Sequence, residues 1–320
     1  MSRRPLVDRT ATTYVAGHRG LAGSAIWRRL AAEGWTDLVG RTRAELDLRD
    51  QPAVDAFFDE VRPTTVVIAA AKVGGIAANI AQPYEFLSEN LRIGVNLMDA
   101  ALRTGVDRLL FLGSSCIYPR LAPQPMKEEY LLDGKLEPTN DGYALAKIAG
   151  LMQVTAARRE HGRHWVSAMP SNLYGPGDNF STDGSHVLAA MVRRYVAAQE
   201  QDQDEVTNWG SGQAHREFLH VDDLAAAVVH LLERYDDDST INVGTGCDHT
   251  VAEIAATVAQ AVGYQGRTTW DLTKPDGMPR KLLDVSRLSQ LGWHACVPFS
   301  EGVASTVEWY RSHRDSLVPA

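Results

Sequence analysis

A serine, a cysteine, a tyrosine and a lysine are the residues of this sequence best placed to do chemistry. In Phe111-Leu112-Gly113-Ser114-Ser115-Cys116-Ile117-Tyr118-Pro119 an apolar run closes on a glycine and then releases Ser114, Ser115 and Cys116. That is the pattern of a buried strand, Arg108 to Leu112, ending in a polar loop. Tyr143 and Lys147 are four apart in Tyr143-Ala144-Leu145-Ala146-Lys147, so in a helix the phenol and the ammonium share one face. A cation beside a phenol favours the phenolate, so a lowered Tyr143 pKa is expected, and such a group exchanges protons near neutrality. Taken singly, a Ser-Ser pair is ordinary turn chemistry and Tyr-x-x-x-Lys occurs by chance in many helices.

A third motif far upstream decides between these readings. Gly17-His18-Arg19-Gly20-Leu21-Ala22-Gly23 follows an expected strand, Thr12 to Ala16, and opens an expected helix, Leu21 to Glu33. Glycines at this spacing permit a tight turn and close approach of backbone to a pyrophosphate seated on the helix N-terminus. With Ser114 and Tyr143/Lys147, this pattern resembles the extended short-chain dehydrogenase/reductase family over essentially the whole chain.

The positioning elements follow from the alternation of signals. Strands at Asp37 to Gly40, Thr65 to Ala71 and Arg108 to Leu112 alternate with helices Gln51 to Val61 and Tyr84 to Arg103. The Tyr143 helix runs to Glu160, and Trp165 to Met169 is the next strand. Alternation predicts an α/β fold, a Rossmann-like doubly wound parallel sheet. Beyond Pro170 the turn-rich Ser171-Asn172-Leu173-Tyr174-Gly175-Pro176-Gly177-Asp178-Asn179 leaves the sheet. A smaller, discontinuous C-terminal substrate domain is expected over 171–220 and 247–320, with a helix His186 to Ala198, a strand-like segment Glu205 to Trp209, a helix Val251 to Val262 and a loop Lys274 to Leu283. The first domain is expected over 1–170 plus about 221–246, with a helix Leu224 to Leu232 and a strand Ile241 to Gly244.

Bulk properties narrow the function. The 320 residues are 44% hydrophobic and 22% charged, an ordinary globular composition. A formal net charge of -8 argues against nucleic acid or an anionic membrane as the main partner. Three cysteines (Cys116, Cys247, Cys296) fit a reducing compartment rather than a disulfide framework. The polar start and the lack of a spanning segment give the expectation of a cytoplasmic protein.

The end of the second strand bears on the cofactor. An acidic residue there holds the ribose 2′-hydroxyl of NAD, whereas an Arg accommodates a 2′-phosphate. This chain has Arg41-Thr42-Arg43, so Arg43, helped by Arg19, predicts NADP. The expected cofactor set is Gly17, His18, Arg19, Gly20, Leu21, Gly23 and Arg43. The resemblance adds Asp47 and Leu48 at the adenine, Lys147 at the nicotinamide ribose, and Asn172.

Within the family, Ala70-Ala71-Lys72-Val73-Gly74-Gly75-Ile76, Gly113 to Pro119, Glu137-Pro138-Thr139-Asn140, Ser185-His186-Val187 and Lys274-Pro275-Asp276-Gly277 resemble enzymes that epimerise and then reduce a GDP-linked ketosugar. The resemblance implies NADPH-dependent 3,5-epimerisation and 4-reduction of GDP-4-keto-6-deoxy-D-mannose. It also implies a homodimer packed through the helices from Tyr84 and Tyr143. Inverting C3 and C5 needs proton-transfer groups flanking the sugar, for which Cys116 and His186 are the pair. Ser114 and Tyr143 would serve the C4 oxygen. Arg194, Arg216 and Lys281 are expected at the diphosphate, Trp209 as a stack for the base or a wall for the sugar, and Asp276 as an acceptor for guanine or a sugar hydroxyl. No residue is assigned to a metal, and Cys247 and Cys296 have no role. The alternatives are a related epimerase or dehydratase with tightly bound NAD, disfavoured by Arg43 and Cys116/His186, and a non-catalytic binding protein, disfavoured by Ser114, Tyr143 and Lys147 together.

Overall fold

Almost every residue of the central strands is buried, which is what strands covered by helices on both faces require. The computed structural model describes residues 6–181, 184–274 and 276–317. The ends of the expected domains and Pro275 of the Lys274 motif lie outside them. The first half runs β1 (Thr13–Ala16), α1 (Leu21–Ala32), β2 (Leu38–Val39), α2 (Gln51–Val61), β3 (Thr65–Ile68), α3 (Ile76–Ala81), α4 (Pro83–Thr104), β4 (Arg108–Leu112), α5 (Asp141–His161) and β5 (His164–Pro170). Helix ends follow local chemistry. Asp50 accepts from the Ala53 N–H to cap α2, and α4 ends on Gly105 with φ of 82°, where a side chain would be strained.

The second half adds β6 (Asn172–Tyr174), α6 (Val187–Glu200), β7 (Glu205–Trp209), β8 (His215–Arg216), β9 (Phe218–His220), α7 (Val221–Arg234), β10 (Ile241–Val243), β11 (His249–Thr250), α8 (Val251–Val262), β12 (Arg267–Asp271), β13 (Arg280–Lys281), α9 (Ser286–Gln290) and α10 (Phe299–Leu317). The main sheet has the order β10-β5-β4-β3-β1-β2, and its pairings are parallel. The fold class is the doubly wound one that alternation predicted. Successive residues of β3 point to opposite layers. Val67 joins a core shared with α1 and α7, while Val66 and Ile68 join one shared with α2, α4 and α5. A third core holds α6, α8 and α10 together.

Two strands are shorter than expected. The expected strand through Ala71 stops at Ile68, because residues 69–75 leave the sheet as an extended loop. The edge strand is only Leu38–Val39. The expected helix from Leu224 begins three residues earlier, at Val221, where the His220 side chain caps the Asp222 N–H.

Candidate active site

The carboxyl ends of β4 and β5 and the start of α5 make the centre. Gly113 donates to the Ala168 carbonyl at 2.8 Å, which fixes the exit from β4. Ser114 then caps a single 3-10 turn, Ser115–Ile117, its hydroxyl accepting from the Cys116 N–H at 3.3 Å. The far side of that turn is anchored by the Tyr118 hydroxyl, which donates to Asn242 Oδ1 at 2.6 Å in the interior. Helix α5 lies close against β4, since a Cβ on Gly150 would come within 2.8 Å of the Phe111 ring. That approach lets buried Lys147 donate to the Leu112 carbonyl at 2.7 Å, its ammonium 4.8 Å from the Phe111 ring centre and 5.9 Å from that of Tyr143.

The expected lowering of the Tyr143 pKa is corrected here. Burial pushes the phenol well above its ordinary value, and the nearby Cys116 adds to this, opposed by a hydrogen bond with Ser114. The Lys147 ammonium is turned to the Leu112 carbonyl, and burial lowers it to about 8. Tyr143 is therefore a proton-bearing donor and not a phenolate.

Cys116 and His186 shift in opposite directions. Burial pulls the Cys116 thiol upward, but the charge of Lys281, hydrogen bonds with Ser114 and Lys281, and His186 together outweigh it, and its pKa is lowered. Lys281 Nζ lies 3.3 Å from Cys116 Sγ. The ammonium expected at the diphosphate thus lies against this thiol. Strand β13 pairs with β8 so that Lys281 faces Arg216, and that register delivers the ammonium to the thiol. His186 precedes α6, with Nδ1 3.9 Å from Asp178, whose side chain is only 2% exposed. Asp178 raises His186 above the usual imidazole value, against burial. Asp178 was legible only as part of a Gly-Pro-Gly-Asp turn. The loop Val73 to Ile76 touches this corner, since a Cβ on Gly75 would lie 3.0 Å from the Ser185 carbonyl.

The glycine loop has the shape a pyrophosphate needs. Gly17 has φ of 83°, and a Cβ there would lie 2.8 Å from the Ala70 backbone. A Cβ on Gly23 would overlap the Gly17 carbonyl oxygen and lie 2.6 Å from its carbon. Gly20 caps α1 without any side-chain bond, which leaves the first amides of the helix, from Leu21 on, for an anion. His18 packs 5.4 Å from Trp27, and Arg19 is exposed. At the end of β2, Arg41 donates to the Gly40 carbonyl at 3.0 Å, while the Arg43 side chain is 72% exposed and 4.0 Å from Glu89. No acidic side chain takes the position of the ribose carboxylate in Arg41-Thr42-Arg43. Both Asp47 oxygens accept from Arg49, which holds Asp47 at about 2. The Leu48 carbonyl accepts from Asn96 at 2.9 Å, and Asn172 Nδ2 donates to the Glu217 carbonyl at 2.7 Å. These residues fit a dinucleotide that carries a 2′-phosphate.

The expected sugar-nucleotide residues divide. Trp209, at the end of β7, is 68% exposed with the Lys274 ammonium 5.6 Å from a ring centre, so it is no core residue. Arg216 donates to the Asp276 carbonyl at 3.1 Å, and the Asp276 carboxylate accepts from Ser211 N–H and hydroxyl at 2.6 and 2.7 Å. Arg194 donates to the Thr207 carbonyl and to Asn208 Oδ1, each at 2.9 Å, so a phosphate would compete with these bonds.

Known proteins similar in sequence and fold are numerous. Residues 13–244 match the family model described as the NAD dependent epimerase/dehydratase family. A rice protein described as a probable GDP-L-fucose synthase 1 is 53% identical over 306 residues, 95% of this chain and 93% of its own. The GDP-L-fucose synthase of Escherichia coli K12 is 51% identical over 311 residues, 94% of this chain and 97% of its own. A crystal structure of a GDP-L-fucose synthetase from Naegleria fowleri bound to NADP superposes with a TM-score of 0.90 at 25% identity, covering 98% of each chain. On its sequence, its sheet and the glycine loop that opens it, this chain belongs to the NAD dependent epimerase/dehydratase family.

Proposed function

We propose that this chain is an NADPH-dependent enzyme that epimerises GDP-4-keto-6-deoxy-D-mannose at C3 and C5 and reduces the C4 ketone, giving GDP-L-fucose. The observation that carries the reading is the Cys116 thiol, 3.3 Å from the Lys281 ammonium and on the same turn as Ser114. A proton-transfer thiol thus stands beside ketone-binding groups. The surroundings favour the deprotonated thiol and the protonated imidazole, which sets one group as base and the other as acid. Cys116, held toward thiolate, takes the proton α to the ketone, and His186, held toward imidazolium by Asp178, returns one from the other face. Ser114 and Tyr143 donate to the C4 oxygen while it carries enolate charge. NADPH, when bound, supplies the hydride to C4. Tyr143, firmly protonated, then gives its proton to the C4 oxygen, with Lys147 packed on its ring.

Other parts of the reading rest on packing. The division into 1–170 plus about 221–246 and 171–220 plus 247–320 is supported by β10, which extends the main sheet, and by the separate core of α6, α8 and α10. A homodimer through α4 and α5 is supported by Tyr84, Val95, Leu145 and Met152, which are 71%, 42%, 48% and 50% exposed on those helices. No helix among the described residues is long and apolar enough to cross a membrane, and the free cysteines support a reducing compartment such as the cytoplasm. The test of the function is NADPH oxidation with GDP-4-keto-6-deoxymannose, followed by NMR of the product. GDP-L-fucose formed with one NADPH consumed per turnover is expected. Reduction at C4 without inversion at C3 and C5 would overturn the epimerase half, and no oxidation would overturn the whole.

A further inference from the structure

Glu217 is fully buried, although it directly follows the partly exposed Arg216. Its carboxylate is a junction. Oε1 accepts from the Thr245 N–H at 2.6 Å, the Gly246 N–H at 2.9 Å and the Thr245 hydroxyl at 3.3 Å, all just after sheet strand β10. Oε2 accepts from the Leu283 N–H at 2.9 Å. Its own N–H donates to the Lys281 carbonyl at 3.2 Å, so Glu217 holds the chain on both sides of Leu282. Gly244 admits this arrangement, because a Cβ there would overlap Oε1 and lie 2.9 Å from the carboxyl carbon.

Burying a carboxylate costs several kcal/mol, and here burial does push Glu217 above the ordinary carboxyl range against its N–H donors. An apolar side chain would fill the space without that cost. What only a carboxylate does is accept from two separated sets of backbone N–H groups at once. One set belongs to the edge of the nucleotide-binding sheet and the other to the segment that carries Lys281.

We infer that Glu217 is a positioning residue: it ties the Lys281–Leu283 segment to the turn after β10 and thereby sets the Lys281 ammonium against the Cys116 thiol. This rests on the reading of Cys116 as a proton carrier for its purpose, but its geometry can be tested without substrate. The groups facing Cys116 are Ser114 on its own turn, Lys281 from β13, His186 from the start of α6 and Tyr143 from α5, so a displaced Lys281 removes the nearest cation. An opposite charge in contact shifts a pKa by about 1–3 units.

The experiment is the pH profile of iodoacetamide alkylation at Cys116, read by peptide mass spectrometry with Cys296, which lies outside the Glu217 junction, as internal reference. Glu217→Gln keeps one oxygen but turns an NH2 toward one set of donors. Gly244→Ala leaves Glu217 intact and pushes its carboxylate away, at a glycine that does not use positive φ. Both variants should raise the Cys116 midpoint by about 1 pH unit, with the Cys296 midpoint unmoved. Lys281→Met should do the same, and adding Glu217→Gln to it should bring no further shift, the non-additivity of one shared interaction. Folded variants with the wild-type midpoint, or a double variant whose shifts add, would overturn the positioning role. Failure of both Glu217→Gln and Gly244→Ala to fold would also overturn it, by assigning Glu217 to stability alone. If instead the midpoints shift as stated while Cys116→Ser leaves carbon-proton exchange intact, the positioning holds and the proton-carrier reading fails.

Discussion

Gly23→Ala isolates the cofactor loop better than any charge removal, because the perturbation is one methyl group whose neighbours are known. The Gly17 carbonyl closes the turn by accepting from the Gly20 N–H at 2.9 Å. An added Cβ would overlap that oxygen and lie 2.6 Å from its carbon, where ordinary carbon contact begins at about 3.5 Å. The loop must therefore open by about 1 Å. It cannot recoil freely, since Gly17 is itself backed by the Ala70 backbone. Overpacking of this kind costs about 1–3 kcal/mol, a factor of about 5–150 if all of it falls on binding. If the loop keeps its shape without ligand, part of the cost appears instead as lost unfolding free energy. The assay is NADPH affinity by fluorescence titration together with denaturant unfolding of the same sample. A variant unchanged in both would refute the close approach of α1 to the loop, because alanine is otherwise the better helix former at that position.

Replacing Arg43 and Arg19 with alanine should raise the Michaelis constant for NADPH much more than that for NADH, and equal effects on both would show that neither side chain reads a 2′-phosphate. Light scattering at micromolar concentration should give the mass of a dimer, and substituting Glu at Leu145 and Met152 should halve it; a wild-type monomer would remove the α4/α5 interface. Lys147 titrates at about 8 in the folded chain, below its ordinary 10.5, so the unfolded chain binds the extra proton between those values. Its burial penalty is thus present below about 8 and relieved as pH rises toward 10.5, and Lys147→Met should gain stability relative to wild type below about 8 and lose that advantage above it. Reduction should fall as pH rises through about 8, when the ammonium expected at the nicotinamide ribose is lost.

The central strands were readable because both their faces are buried. Val66, Val67 and Ile68 leave no polar alternation to blur the run, and Gly105 marks the helix stop by its conformation. Elements whose partners lie far away in sequence were not readable. Strand β12, Arg267 to Asp271, is polar and half-exposed, and exists only because β7 pairs with it. Helix α3 follows two glycines and buries little but Asn79. In the site, Ser114, Cys116, Tyr143 and Lys147 are legible because a strand end and one helical turn bring them together. Lys281 looks like a phosphate ligand in a basic loop, and only the β8/β13 register shows that it faces a thiol 165 residues away. The Tyr143 pKa was misjudged because spacing reports the neighbouring cation but not the burial that outweighs it.

The most direct measurement of a single site performing both half-reactions is deuterium incorporation at C3 and C5, followed by NMR without cofactor, alongside NADPH oxidation in the same variants. With Cys116 as base and His186 as acid, Cys116→Ser and His186→Asn should slow exchange and leave NADPH affinity near wild type. Tyr143→Phe should stop reduction and weaken exchange only by the loss of one donor to the enolate, a contribution of about 2.7–4 kcal/mol at oxyanion sites. Exchange at the wild-type rate in both the Cys116 and His186 variants would contradict the assignment and leave Tyr143 or solvent as the proton carrier.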